Sequence, residues 1–307
     1  MCLRAVLPLL IFMLIGMAVR RAKLLNKEEI SKLNHMVFVV FFPVLMFTNL
    51  YGQKIGEIVQ PKLVIFAVAV VLGVYFLSFP VVLNAEKDPR KRGAMIQAIY
   101  RSNFVIMGLP VAINIFGRSH LAVTMMMIVI IVPLYNVLAV ITLEAFRGGR
   151  IRKSQIFLRI ILNPLILGAM AGVAAALTGL HLPSVLESVI NQMSDIASPL
   201  ALIILGASFS FSSVSHLKKD LAIGVLGKLV VVPAIGLTLT VLLGFRGIEF
   251  VTMVSILAAP TAVSSFTMAE SMGSDGELAG ACVVFSSALS VLTMFLWLFV
   301  FKNLGMF

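Results

Sequence analysis

Ten apolar runs follow one another along this chain, separated by short polar connections. They lie at about 4–20, 34–51, 62–83, 93–116, 120–143, 157–178, 188–210, 218–243, 248–271 and 278–301. A helix needs ~20 apolar residues to cross a hydrocarbon core of ~30 Å. The pattern predicts an all-α polytopic membrane protein with ten transmembrane helices. The longest connection is about a dozen residues. That excludes an inserted soluble catalytic or nucleic-acid-binding domain.

Two of these runs carry polar interruptions at their centres, at matching places in the two halves of the chain. The fourth contains Tyr100-Arg101-Ser102-Asn103 and then Gly108-Leu109-Pro110; the ninth contains Ala258-Ala259-Pro260-Thr261 and then Ser264-Ser265. A broken helix at membrane depth is tolerated only where its freed backbone groups face protein or a wet cavity. A matched pair of such interruptions is a pointer to the substrate site of a secondary transporter. Each break falls roughly 10 to 12 residues into its run, ~15–18 Å along a helix axis, near the centre of a bilayer.

Composition agrees with this picture. The chain has 307 residues, is 60% hydrophobic and 12% charged, and has a mean hydropathy of +1.09. The net charge of +11 reflects Lys and Arg concentrated in connections, so the positive-inside rule explains it without nucleic acid. With the connection after the first run taken as cytoplasmic, sixteen Lys and Arg lie on that side and six on the other. Arg101 and Lys228 fall within runs. Both termini are therefore expected outside. At the N-terminus, Arg20, Arg21 and Lys23 follow the apolar stretch instead of preceding it, unlike a secretory signal peptide. The two cysteines, Cys2 and Cys282, form no pattern.

The halves echo each other at an offset of 156 residues. Pro8 pairs with Pro164, Gly16 with Gly172, Pro43 with Pro199, Lys62 with Lys218 and Gly117 with Gly273. The domains expected are a first five-helix repeat over 1–146, a basic linker over 147–156, and a second repeat over 157–307. Five spans is an odd number, so the second copy must be inverted in the membrane, which places a shared site at the midplane.

The breaks suit an anion. Each starts a new half-helix whose first N–H groups lack intrahelical partners and carry the positive dipole end. Ser102, Asn103 and Thr261 are residue types that cap helices or offer hydrogen bonds, and Pro260 removes a donor where the ladder is interrupted. Arg101 adds a full charge; it contacts a ligand, or satisfies the last carbonyls of the first half-helix, or pairs with an acid. Ser264 and Ser265 contact substrate or serve close helix packing. Asn136 lines the site or binds a neighbouring helix. Lys228 pairs structurally or stands where a coupling cation binds. Asp195, near the expected start of the seventh run, caps that helix or takes part in coupling. The four His residues are scattered without metal-ligand spacing. No nucleotide-binding glycine motif or catalytic constellation is visible. A non-enzyme without cofactor is expected.

Asn103-Phe104-Val105-Ile106-Met107-Gly108-Leu109-Pro110 resembles the Gly-Asn-Thr-Gly-Phe-x-Gly-Leu-Pro signature of the auxin efflux carrier family. Pro260-Thr261-Ala262-Val263-Ser264-Ser265-Phe266 resembles its Pro-Thr-Ala-Val-Asn-Ser-Phe stretch. Arg20-Arg21-Ala22-Lys23-Leu24-Leu25, and Pro199-Leu200-Ala201-Leu202 through Leu205-Gly206, are also similar, so the likeness spans essentially the whole chain. The family includes plant auxin carriers and bacterial permeases assigned to malonate or malate. The resemblance implies a scaffold of helices 1, 2, 6 and 7 and a mobile transport domain of helices 3–5 and 8–10. It implies crossing of helices 4 and 9 at their breaks, elevator-type alternating access and a homodimer. By position, Asn103, Pro260 and Thr261 would lie at the crossover, faced by Pro43 and Pro199. The chain departs from the family at Arg101-Ser102, where many relatives have small residues. Only Phe146 to Ile156 joins the halves, as in a compact prokaryotic permease of the inner membrane.

The function expected is secondary transport of a small organic anion, a carboxylate, driven by the membrane potential or coupled to H⁺ or Na⁺. A channel needs a continuous polar pore, whereas these polar residues cluster at one depth. A ligand sensor without turnover is the other rival.

Overall fold

A computed structural model describes residues 2–52, 60–117, 121–147, 153–210 and 214–307. The described residues form helices and no strand. In chain order they are α1 (Cys2–Arg21), α2 (Lys27–Leu50), α3 (Pro61–Ala85), α4 (Pro89–Phe116), α5 (Ala122–Ala145), α6 (Pro164–Thr178), α7 (Ser184–Ser208), α8 (Lys218–Leu242), α9 (two halves, Gly247–Leu257 and Ser264–Ser271) and α10 (Gly276–Asn303). Among the described residues, seven helices are long and apolar enough to cross a membrane: α2, α3, α4, α5, α7, α8 and α10. Residues 148–152 of the expected linker lie outside the described residues, as do Lys54 and Arg118.

Polar caps fix where several helices begin. Asn26 and Glu29 form a capping box at α2, with the Glu29 N–H donating to Asn26 Oδ1 at 2.9 Å and the Asn26 N–H to Glu29 Oε2 at 2.7 Å. Asp88 caps α4, Asn163 caps α6 and Asp275 caps α10. Asn163 and Pro164 also split the sixth apolar run, which the sequence pattern reads as continuous. A short helix, Lys153–Ile161, ends before them. Proline disfavours helical backbone in the residue before it yet suits the first turn of a helix.

Three π-turns interrupt the described helices, at Val37–Phe41, Phe104–Gly108 and Gly227–Val231. In each, the next residue's N–H bonds five residues back, and a proline follows: Pro43, Pro110 and Pro233. Proline supplies no donor and crowds the preceding turn, so the ladder widens there.

Glycines set two close helix pairs. A Cβ on Gly16 of α1 would lie 1.9 Å from the Ile203 carbonyl oxygen of α7, and one on Gly206 would lie 2.0 Å from that of Met13. On α6, a Cβ on Gly168 would lie 2.3 Å from the Pro43 oxygen of α2, and one on Gly172 would lie 2.7 Å from that of Phe47. Small residues let backbones approach where lipid gives no hydrophobic drive for helices to associate. Polar ties join neighbouring ends of α3, α4, α8 and α9. Lys219 Nζ donates to the Ala85 carbonyl at 2.5 Å, Lys91 lies 3.4 Å from Asp220, and Ser274 Oγ donates to the Arg90 carbonyl at 2.5 Å. Large apolar side chains such as Ile65, Phe76, Leu177 and Leu292 point outward, as a lipid-facing surface requires.

Asp195 is not at a helix start. α7 begins at Ser184, so Asp195 sits three turns inside it, exposed, and Pro183 is the residue at the cap. The sequence pattern places the start at 188, four residues late, because Ser184 and Glu187 interrupt the apolar residues there.

Candidate substrate site between two broken helices

The first half of α4 ends at Tyr100, and helical bonding resumes at Phe104. Between them Arg101 is extended (φ −81°, ψ 132°) and Asn103 has φ −81°, ψ 56°. In α9 the helix stops at Leu257 and restarts at Ser264. The two breaks satisfy one another. The Asn103 N–H donates to the Pro260 carbonyl at 2.7 Å, Ser102 Oγ to the Ala259 carbonyl at 3.2 Å, and Thr261 Oγ1 to the Ala98 carbonyl at 3.0 Å. From α10, Ser286 Oγ accepts from the Thr261 N–H at 3.1 Å. Freed backbone groups at this depth thus find protein partners. Ser255 of α9 also donates to the Gly108 carbonyl at 3.0 Å, where a Cβ on Gly108 would lie 2.6 Å from that of Ser255.

Arg101 is buried, with 2% of its surface exposed. Its guanidinium donates to Gln97 Oε1 at 3.1 Å, to Met268 Sδ at 2.8 Å and to Asn136 Oδ1. Asn136 is oriented by its own donation to the Val132 carbonyl at 2.8 Å and to Met46 Sδ of α2 at 2.9 Å. No carboxylate lies within salt-bridge distance of Arg101 among the described residues. A guanidinium has five donors. Neutral acceptors hold this one in place and leave its charge uncompensated.

A cavity of about 90 Å³ opens on that charge. Of the residues singled out from sequence, Arg101, Ser102, Asn103, Asn136 and Ser264 line it. The Asn103 Nδ2 amine is buried without a hydrogen-bond partner there. Pro260 and Thr261 do not line it; they sit between the breaks and hold them together. Ser265 is buried beside it, its hydroxyl unpartnered. From α2 and α7 the wall is made by Phe42, Leu45, Met46, Asn49 and Ser198 rather than Pro43 and Pro199. Pro43 instead meets Gly168 of α6. Asp195 and Lys228 line neither this cavity nor the larger one described below. Lys228 is fully buried in the π-turn of α8, and its amine has no partner among the described residues.

Sequence reasoning did not single out Gln97, Tyr135, Met268 or Ser286. Gln97 had a readable signal, since it precedes Arg101 by four residues on one helix, the spacing at which side chains meet. Tyr135 lines the cavity and donates its hydroxyl to the Ile256 carbonyl of α9 at 3.2 Å. Met268 and Ser286 reach the site only through the tertiary fold.

A second cavity of about 1000 Å³ separates α1, α2 and the end of α7 from the start of α4, the second half of α9 and α10. Arg20, Asn34, Arg90, Ser208, Glu270 and Gly280 are among its walls. At its edge, Asn34 Nδ2 of α2 donates to the Thr267 carbonyl at 3.2 Å and to Ser271 Oγ at 3.1 Å. This contact bridges α2 and the second half of α9.

Known proteins share this sequence pattern. An uncharacterized transporter of Methanothermobacter thermautotrophicus is 25% identical over 95% of this chain and 96% of its own length. An uncharacterized transporter of Methanocaldococcus jannaschii is 24% identical over 97% and 98%. A Rhizobium meliloti protein provisionally named a malonate transporter is 25% identical over 87% and 85%. The profile of the family described as membrane transport protein matches residues 1–156 and 150–298. The chain therefore belongs to the membrane transport protein family, which is the auxin efflux carrier family that its two broken runs resemble.

Proposed function

We propose that this protein is a secondary transporter of a small organic anion, a carboxylate, bound where the breaks of α4 and α9 meet. The observation that carries the reading is Arg101: a buried cation with no acidic partner among the described residues, beside an unpartnered Asn103 amide and a cavity. A buried charge without compensation is costly, and an anionic ligand supplies the compensation. The ligand of the Rhizobium meliloti relative, as its name gives it, is a carboxylate too.

In this scheme the chain is a 5+5 inverted repeat of ten spans, with α4 and α9 crossing at their breaks. Two pairs of equivalent glycines support it. Gly16 of α1 packs on α7, and its counterpart Gly172 of α6 packs on α2, the exchange expected between two copies of one unit. Gly117 and Gly273, also 156 residues apart, follow the second half-helices of α4 and α9 with φ of 77° and 78°. Helices α1, α2, α6 and α7 form the scaffold; α3–α5 and α8–α10 carry the site past it in an elevator motion. The large cavity is lined by Arg20, Lys27 and Arg90, the basic side that the positive-inside rule makes cytoplasmic, and both termini are then proposed outside. A homodimer in a prokaryotic inner membrane is the proposed assembly. Transport uses the membrane potential, worth ~2.3 kcal/mol per charge per 100 mV, or a coupled H⁺ or Na⁺.

The test is uptake of labelled carboxylates into proteoliposomes under imposed pH, Na⁺ and voltage gradients. Saturable flux that one of these gradients drives supports the proposal. No flux across a broad carboxylate panel, or ohmic conductance without exchange, refutes it.

A further inference from the structure

We infer that the anion this site takes is a short-chain monocarboxylate and not a dicarboxylate. The inference rests on the anion site proposed above and concerns the number of charges that site can hold.

The cavity is lined by one cation, Arg101. Every other lining residue is neutral, and each of them is among the described residues. Beside that cation the break of α4 contributes the unpartnered Asn103 Nδ2, while the Ser102 hydroxyl already donates to the Ala259 carbonyl. The guanidinium and the amide suit a single carboxylate, which accepts bidentate contacts from a guanidinium and has room for a further amide donor. The wall from α2 is largely apolar, with Phe42, Leu45 and Met46. Asn49 of α2 and Ser198 of α7 are polar and carry no charge.

A second carboxylate held against this lining would lose water and gain no cation. Burying an ion without a counter-charge is strongly unfavourable, while burying methylenes against Phe, Leu and Met is favourable. The same wall suggests how selectivity can be moved, because a lysine placed at Asn49 would supply the missing second cation.

The experiment measures binding and proteoliposome counterflow of acetate, propionate and butyrate against malonate and succinate at neutral pH, on the full chain. Monocarboxylates are expected to bind at least ~10-fold more tightly than the dicarboxylates, a difference of ~1.4 kcal/mol. Asn49→Lys is expected to reverse or erase that ratio by raising malonate and succinate affinity. Ser198→Lys on α7 is the second variant should the first fail to fold. Equal or tighter binding of malonate or succinate by the unmodified protein overturns the inference and leaves anion transport standing. A folded lysine variant with an unchanged ratio also overturns it. If no member of the panel binds or moves, the anion site itself is refuted.

Discussion

The backbone amide of Asn103 donates to the carbonyl of Pro260 across 2.7 Å, joining the interruption of α4 directly to that of α9. Neither break could stand alone in a membrane, because each exposes backbone groups that hydrocarbon cannot satisfy. Together they close most of each other's deficits and leave a few donors aimed at a cavity. The account of function rests on that division between groups that hold the breaks and groups left over for a ligand.

Thr261 belongs to the first class. Thr261→Val removes the hydroxyl bond to the Ala98 carbonyl and keeps the shape. It should destabilise the protein by about 1–3 kcal/mol, since a buried acceptor is left unmade. Thermal unfolding in detergent reads the loss. The order of preference among anions should not change; an altered order would place Thr261 in contact with the ligand.

Glycine substitutions separate packing from space. Gly206→Ala should destabilise by about 1–3 kcal/mol, because its Cβ would lie 2.0 Å from the Met13 oxygen. Gly73→Ala on α3 meets nothing within 4 Å and should stabilise by roughly 0.5–1 kcal/mol through helix propensity. Equal melting temperatures for the two variants would contradict the close α1–α7 contact.

Lys228 is a buried amine without a partner among the described residues. Lys228→Met keeps the length and removes the unmet donor, so stability should rise by about 1–3 kcal/mol. A melting temperature that falls would mean the amine has a partner, such as a bound lipid or substrate group.

Much of this architecture was legible in the linear pattern, and the reasons differ by residue. The interruptions at Arg101–Asn103 and Ala258–Thr261 stood out because polar residues at the centre of an apolar run conflict with burial in lipid. The helical character of the chain followed from run length alone. Position within the site was less legible. Pro260 and Thr261 lie at the junction yet face the partner break and not the cavity, which depends on backbone direction after a non-helical segment. Asn49 and Ser198 reach the cavity through the packing of α2 and α7, a relation between residues almost 150 apart. The π-turn around Lys228 follows from Pro233, but the missing partner of its amine is a property of the surrounding fold.

The Asn103 side chain should matter to the ligand more than to the fold. Its Nδ2 has no partner, so Asn103→Ala forfeits no hydrogen bond of that donor and the melting temperature should not fall. Anion affinity should drop several-fold, for one hydrogen bond to a charged group is worth about 1.5–3 kcal/mol. Unchanged affinity in a folded variant would remove Asn103 from the site.

Arg101 bears the central claim, and the most direct measurement is carboxylate uptake by Arg101→Gln beside the unmodified protein in matched proteoliposomes. Gln97 and Asn136 keep polar company for the replacement, so the variant should fold and reach the bilayer. The account predicts at least a ~10-fold loss of uptake, with partial retention in Arg101→Lys, which keeps the charge but not the planar fork. Uptake of carboxylates at the unmodified rate by folded Arg101→Gln would contradict it.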